Sequence, residues 1–202
     1  ALVSANVPTA NVPAVVTALA DSQAEALAVI AGINATPVAG TAAQLAAIVS
    51  GGVSAANAPT FIASLNSNTV SGGNAAAVAT SGAISAGQVA AVKAGIGASG
   101  TAAQLAAIVS GGVSAANAPT LIASLNTHKV ANLNATAVAA SGAVSSAQVA
   151  SVKAGMRSGG NAAQLAALVT GKVSILNAPT FIASLNTHKV ADSNAAAVAT
   201  SG

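Results

Sequence analysis

The chain has no cysteine, tryptophan or tyrosine, and only two phenylalanines and three acidic residues among its 202. Without cysteine there is no disulfide framework, no zinc-thiolate site and no thiol nucleophile, and the redox compartment stays open. With aromatics at 1% and hydrophobic residues at 53%, any core must be assembled from small aliphatic side chains that each bury little area. Such a core is shallow, so close backbone packing must compensate. Charged residues are only 4% of the chain, and the formal charge of +3 reflects the scarcity of acids, not a basic patch. Neither a nucleic-acid footprint nor an electrostatic membrane anchor follows from it. Intrinsic disorder calls for low hydrophobicity with high net charge, and the mean hydropathy of +0.73 is the opposite balance. Long apolar runs are missing too. Gly, Ser, Asn, Thr or Pro interrupts every few positions, short of the ~18 apolar residues of a spanning helix, so no transmembrane span is expected. The first residue is Ala1 and not Met, which fits a processed or excised segment, and no targeting peptide is visible.

What the chain does have is repetition. TAAQLAAIVSGGVSAANAPT at 41–60 recurs unchanged at 101–120, a shift of 60 residues. A third copy starts at Asn161 with NAAQLAALVT and continues through NAPTFIASLNTHKV. SQAEALAVIAG from Ser22 matches SAGQVAAVKAG from Ser85, which makes the first stretch a diverged partial copy. The reading is a single repeat domain over 1–202, made of a partial block 1–40, full blocks 41–100 and 101–160, and a truncated block 161–202. Each full block divides into four units of roughly 15 residues, a helical pattern followed by a break.

The units share a grammar. In ISAGQVAAVKAG, Ser85 is the expected N-cap and Gln88, three residues on, returns a hydrogen bond to its backbone N–H, forming a capping box. Ile84 and Val89 flank it at the spacing of a hydrophobic staple. Val89, Val92 and Ile96 fall on one helical face, and Gly95 is the expected left-handed terminator. Thr101 with Gln104, Ser22 with Glu25 and Ser145 with Gln148 repeat the box. In the 101–111 unit the apolar face is Leu105, Ile108 and Val109, and a Gly-Gly pair is the stop. In NAPTFIASLN the expected cap is Asn57, with Pro59 in the first turn, where its missing N–H is harmless, and Asn66 as terminator. The fourth unit, NAAAVATSG from Asn74, offers little to a core beyond Val78.

Helices of ~8 to 10 residues do not hold in water alone, so each must be stabilised by stacking on its neighbours. The expected fold is therefore all-α: a repeat α-solenoid or compact stack of short capped helices, about four per block. The alternative is a β-solenoid, which Val, Ile, Ser, Thr, Asn and Gly also suit. Strict apolar–polar alternation is absent, while capping boxes recur at fixed offsets. QVAAVKAGIGASGTAAQLAAIV, from Gln88 to Val109, resembles the repeat frame of TAL-effector DNA-binding proteins, with a Gln-Val helix, a Gly-containing hinge and a Gln-Leu helix. The resemblance covers two short helices per block. It implies helix-pair packing and, as a second alternative for function, a helical-repeat nucleic-acid binder. The hinge departs from that frame: where the family carries Gly-Gly-Lys-Gln, residues 100–104 read Gly-Thr-Ala-Ala-Gln, and six cations in 202 residues offer little phosphate neutralisation.

Chemistry-bearing residues are few. Asp21, Glu25 and Asp192 are the only acids. Glu25 is read as a capping residue and Asp21 as a charge favourable to the helix dipole, in preference to an acid–base pair. His128 and His188 occupy equivalent places in LNTHKV, where the first full block has Asn68. They lack the spacing of a metal motif and are read as exposed loop histidines, with Lys129 and Lys189 as solubilising charges beside them. No nucleophile elbow is present, and GIGASG at 95–100 lacks the Lys-Ser/Thr ending of a P-loop. No catalytic, cofactor or metal site is assigned, no cofactor is implied, and no enzyme is expected. Asn34 and Asn134 head N-x-Thr sequons and are glycosylation acceptors if a eukaryote secretes the protein.

A chain with 4% charge must cover its exterior with Ala, Ser, Thr, Asn and Gly, against ~25% charge in ordinary soluble proteins. Such a surface suits contact with identical copies, an apolar interface or ice. The expected function is a non-enzymatic structural protein that self-assembles into an extracellular or cell-surface fibre, filament or layer. Solitary solenoids need polar terminal repeats, and the last block closes on NAAAVATSG with nothing resembling one, so copies are expected to stack head to tail. The alternative is a module that binds an ice or apolar surface. A small-molecule substrate is not expected, and nucleic acid is a lesser expectation than self-association.

Overall fold

A computed structural model describes residues 7–201. Residues 1–6 of the diverged first block, and Gly202 at the end of the truncated one, lie outside the described residues. The fold is all-α: a 3-10 turn at Thr9–Asn11 is followed by thirteen α-helices, and no strand occurs among the described residues. The β-solenoid alternative is thereby excluded. The helices are α1 (Val12–Thr17), α2 (Gln23–Ile33), α3 (Ala42–Ser50), α4 (Ala58–Ser67), α5 (Gly72–Thr80), α6 (Ala86–Gly97) and α7 (Ala102–Ser110). They continue with α8 (Ala118–Thr127), α9 (Asn132–Ala140), α10 (Ser146–Arg157), α11 (Ala162–Thr170), α12 (Ala178–Thr187) and α13 (Asp192–Thr200).

The even-numbered helices α2 to α12 pack in succession as one layer, and the odd-numbered helices pack as a second. Close pairs α2·α3, α6·α7 and α10·α11 tie the layers together. One continuous core of Ala, Val, Leu and Ile runs from Val15 to Ile182, with a small satellite around Leu185 and Ala195. Short helices survive here because each is held on several sides, as stacking requires.

The helix starts follow the sequence closely. Ser22, Thr41, Ser85, Thr101, Ser145 and Asn161 each cap a helix through a reciprocal box with Glu25, Gln44, Gln88, Gln104, Gln148 and Gln164. At Ser85, for example, the backbone N–H donates to Gln88 Oε1 at 3.1 Å. Asn57 is different. It precedes α4 but sits in the right-handed helical region, at φ −92° and ψ −18°, and makes no side-chain cap bond. A capping side chain needs extended backbone to aim it at the first turn, and the preceding turn, in which Ala58 N–H donates to the Ser54 carbonyl at 2.9 Å, already curls the chain.

The helix stops need more correction. Gly95 does not terminate α6. It lies inside the helix, buried, where an added Cβ would come within 2.8 Å of Ile108 Cδ1 and 2.9 Å of Leu105 Cδ2. Its task is close approach to α7. The left-handed residue is Ser99, at φ 60°, and the Gly100 N–H closes the motif on the Gly95 carbonyl at 2.9 Å. Asn66 likewise lies within α4, and Thr69 at φ 48° ends that helix, with Lys129 and Lys189 in its place after α8 and α12. The Gly-Gly stop holds: Gly52 and Gly112 take φ 63° and 62°, with Lys172 at the corresponding place in the third block.

The fourth unit gives more than Val78. Its helix α5 starts at Gly72, and Ala75, Val78 and Ala79 are all buried. Gly51, the first residue after α3, approaches it so closely that an added Cβ would lie 2.3 Å from Ala79 Cβ and 2.7 Å from the Ala79 carbonyl carbon. Gly111 and Gly171 meet Ala139 and Ala199 in the same way. Small residues on both sides let backbones touch where large side chains are missing.

Candidate assembly face

The polar residues singled out in the sequence are distributed through the repeat as fasteners between helices. Gln44, buried to 4% exposure, accepts the Thr41 N–H with Oε1 and donates from Nε2 to Asn66 Oδ1 at 2.7 Å. Gln104 with Asn126 at 2.8 Å and Gln164 with Asn186 at 2.7 Å repeat the bridge. One amide thus serves the cap and the next helix together. Sequence reasoning missed this because the partners lie 22 residues apart and nothing in local spacing marks a long-range amide pair.

The histidines are helix C-caps. His128 is half-buried at the end of α8, and its Nε2 lies 2.8 Å from Ser146 Oγ at the start of α10. Asn68 does the same work one block earlier, donating from Nδ2 to the Ala86 carbonyl at 3.0 Å. The exposed-loop reading therefore fails for His128, because the start of α10 packs against it, and holds for the exposed side chain of His188. Lys93 Nζ donates to the Asn68 carbonyl at 2.6 Å, and Lys153 Nζ to the carbonyls of His128 and Lys129. These lysines place positive charge at the C-terminal, negative ends of α4 and α8.

Glu25 accepts the N–H groups of Asp21 and Ser22, each at 3.0 Å. Hydrogen bonding from the Asp21 side chain, then from those N–H groups, lowers its pKa to about 2. The same contact with Glu25, and the proximity of its charge, raises Asp21. Asp192, at the first position of α13, accepts from Asn161 Nδ2 at 2.8 Å. The three carboxylates are not brought together into one cluster around a histidine, and no group of three or more His, Asp or Glu residues able to hold a metal occurs among the described residues. Asn34 is exposed after α2, whereas Asn134 is half-buried in the first turn of α9. No helix among the described residues is long and apolar enough to cross a membrane.

The most distinctive surface is at the C-terminal end. In the two full blocks, Phe61 and Leu121 are 0% exposed, as are Val78 and Val138, and Ser64 and Ser124 are 4% exposed. The helices that follow cover them, with α6 packing on α4 and α10 on α8. Ser124 Oγ even donates to the Val144 carbonyl, just ahead of α10, at 3.1 Å. In the third block the same face is open: Phe181 is half-buried, Ser184 is exposed and Val198 is 41% exposed. These residues, with Val173 and Asn177, line a groove of about 510 Å³.

The other end is also apolar. Val16, Leu19 and Leu27 are 55%, 80% and 41% exposed. There, α1 packs beside α2 and α3 much as α5 packs beside α6 and α7. Compared with protein-family profiles, curated proteins and solved structures, the chain matches none of them.

Proposed function

We propose that this is a non-enzymatic structural repeat protein whose molecules associate end to end into a filament or layer, at a cell surface or outside the cell. One observation carries the reading. The groove beside Phe181 and Val198 is the counterpart of a face that the helices following α4 and α5 bury completely at Phe61 and Val78. Leaving such side chains in water forgoes roughly 1.5–3 kcal/mol for each large apolar group, and Val16, Leu19 and Leu27 expose a second apolar surface on the first helices. The contact is heterologous, pairing one end with the other, so it propagates instead of closing. The low charge of the surface removes the repulsion that keeps ordinary proteins apart.

Sedimentation velocity across a wide concentration range tests this. The expected result is a distribution that shifts to larger species as concentration rises, and returns to monomer in V198D and in L27D while the helical circular dichroism is unchanged. A chain that stays monomeric at every attainable concentration overturns the proposal.

A further inference from the structure

Three of the six cations converge on one cleft. Lys129, Lys153 and Arg157, with Ala131, Asn134 and Met156, line a space of about 330 Å³ between the end of α8, the start of α9 and the last turns of α10. No carboxylate is among the lining residues. Lys153 and Arg157 stand one helical turn apart, a spacing at which like charges repel, and the carbonyls at the end of α8 offset only Lys153. Lys153 uses donors on the carbonyls of His128 and Lys129, so its ammonium group is fixed in place and one of its three N–H donors remains. Lys129 is locked in the left-handed region at φ 48° and is exposed.

The neighbouring backbone adds to the same field. The cleft opens at the start of α9, where the N-cap is Ala131 and no side chain caps the helix. One block later, the residue matching Asn132 is Asp192, so α13 carries a carboxylate at its own first position. The second block has cations there and no anion of its own. One block earlier, the positions matching Lys129 and Arg157 are Thr69 and Gly97, leaving Lys93 alone. The cluster of three is therefore present in the second full block and absent from the first, on a shared frame.

We infer that the cleft formed by Lys129, Lys153 and Arg157 binds a phosphate-type oxyanion, either free phosphate or the phosphate group of a monoester. A dianion with several acceptor oxygens matches two ammonium groups and a guanidinium fork better than a single carboxylate does. The cleft is large enough for the phosphate group and open enough to leave an ester substituent outside.

The test is a heteronuclear NMR titration of the whole chain with sodium phosphate and, separately, with glycerol phosphate, against sodium chloride at matched ionic strength. Saturable shifts are expected at the amides of Leu133 and Asn134 and not at those of Gly73 and Asn74, the matching positions one block earlier. Saturation by phosphate alone assigns the free ion, and saturation by both assigns the phosphate group of a monoester. K129T combined with R157Q should weaken binding about tenfold or more, because each change removes a charge-assisted donor. K129T restores a residue the frame already accepts at position 69. The converse graft, T69K with G97R, should create saturable shifts at Gly73 and Asn74. Shifts that follow ionic strength equally with chloride, or that persist unchanged in K129T/R157Q, overturn the inference.

Discussion

The helices α4 and α12 are written in nearly the same letters, APTFIASLNS and APTFIASLNT, yet they live in different environments. Phe61 is 0% exposed, while Phe181 is half-buried. The difference comes from the neighbour: α6 packs against α4, and no described helix stands in that place beside α12. Burial in a stacked protein is a property of neighbouring units together, not of one unit alone.

The sharpest way to break this comparison is to truncate the same side chain in both places. Removing a fully buried Phe costs about 3–5 kcal/mol, so Phe61→Ala should lower the urea midpoint strongly, while Phe181→Ala should cost less than half as much in dilute solution. Equal losses would mean that the C-terminal face is covered. If the molecules associate through that face, the cost of Phe181→Ala should grow with protein concentration while that of Phe61→Ala does not.

A second contrast separates two kinds of glycine. At Gly111, a Cβ would lie 2.6 Å from Ala139 Cβ and 2.8 Å from the Ala139 carbonyl carbon, so the backbones of α7 and α9 would have to part. At Gly87, in the first turn of α6, nothing lies within 4 Å. Gly111→Ala should therefore destabilise by about 1–3 kcal/mol, the range for overpacking. Gly87→Ala should stabilise by roughly 0.5–1 kcal/mol, the difference in helix propensity. Thermal melts of the two variants check the sign as well as the size. Of smaller effect is Thr101→Ala, which removes the side-chain half of a capping box and should cost about 1 kcal/mol.

These contrasts also mark what the sequence makes legible. The capping boxes are readable because their partners are three residues apart and the chemistry is local. The all-α stack follows from them. The helix ends are harder, because glycine serves two purposes in this chain, and a string of letters does not distinguish the left-handed Gly52 from the tightly packed Gly95. Thr69, Ser99, Lys129, Lys172 and Lys189 adopt positive φ without being glycine, held there by the two hydrogen bonds that close each helix. The bridges from Gln44, Gln104 and Gln164 to the next even-numbered helix are invisible to local pattern, as is the convergence of Lys129, Lys153 and Arg157. The exposed end face is the least legible of all, since the residues that form it are the same ones that are buried elsewhere.

Acid offers the finest contrast, between α2 and the other boxed helices. Five boxes use Gln as the returning residue, and only α2 uses an acid, Glu25. With its pKa lowered from an ordinary 4.5 to about 2, Glu25 contributes stability that is present above its unfolded value and is lost as the pH falls toward about 2. Asp21, raised above its ordinary 3.8, works in the opposite sense: its contribution is present below 3.8 and is lost as the pH rises through its raised value. The two oppose each other over the same window, so the net loss of stability on acidification should be smaller than Glu25 alone would give. E25Q converts the box to the form used by the other five. It should remove the acid sensitivity of α2 while keeping its cap, with Asp21 returning toward its ordinary value. Melting temperatures of the parent chain and E25Q, followed at a series of pH values from 6 to 2, should diverge only below about pH 4.5 on Glu25's account. A parent chain that unfolds cooperatively at pH 3 would show that carboxylates hold more of the stack than this single cap.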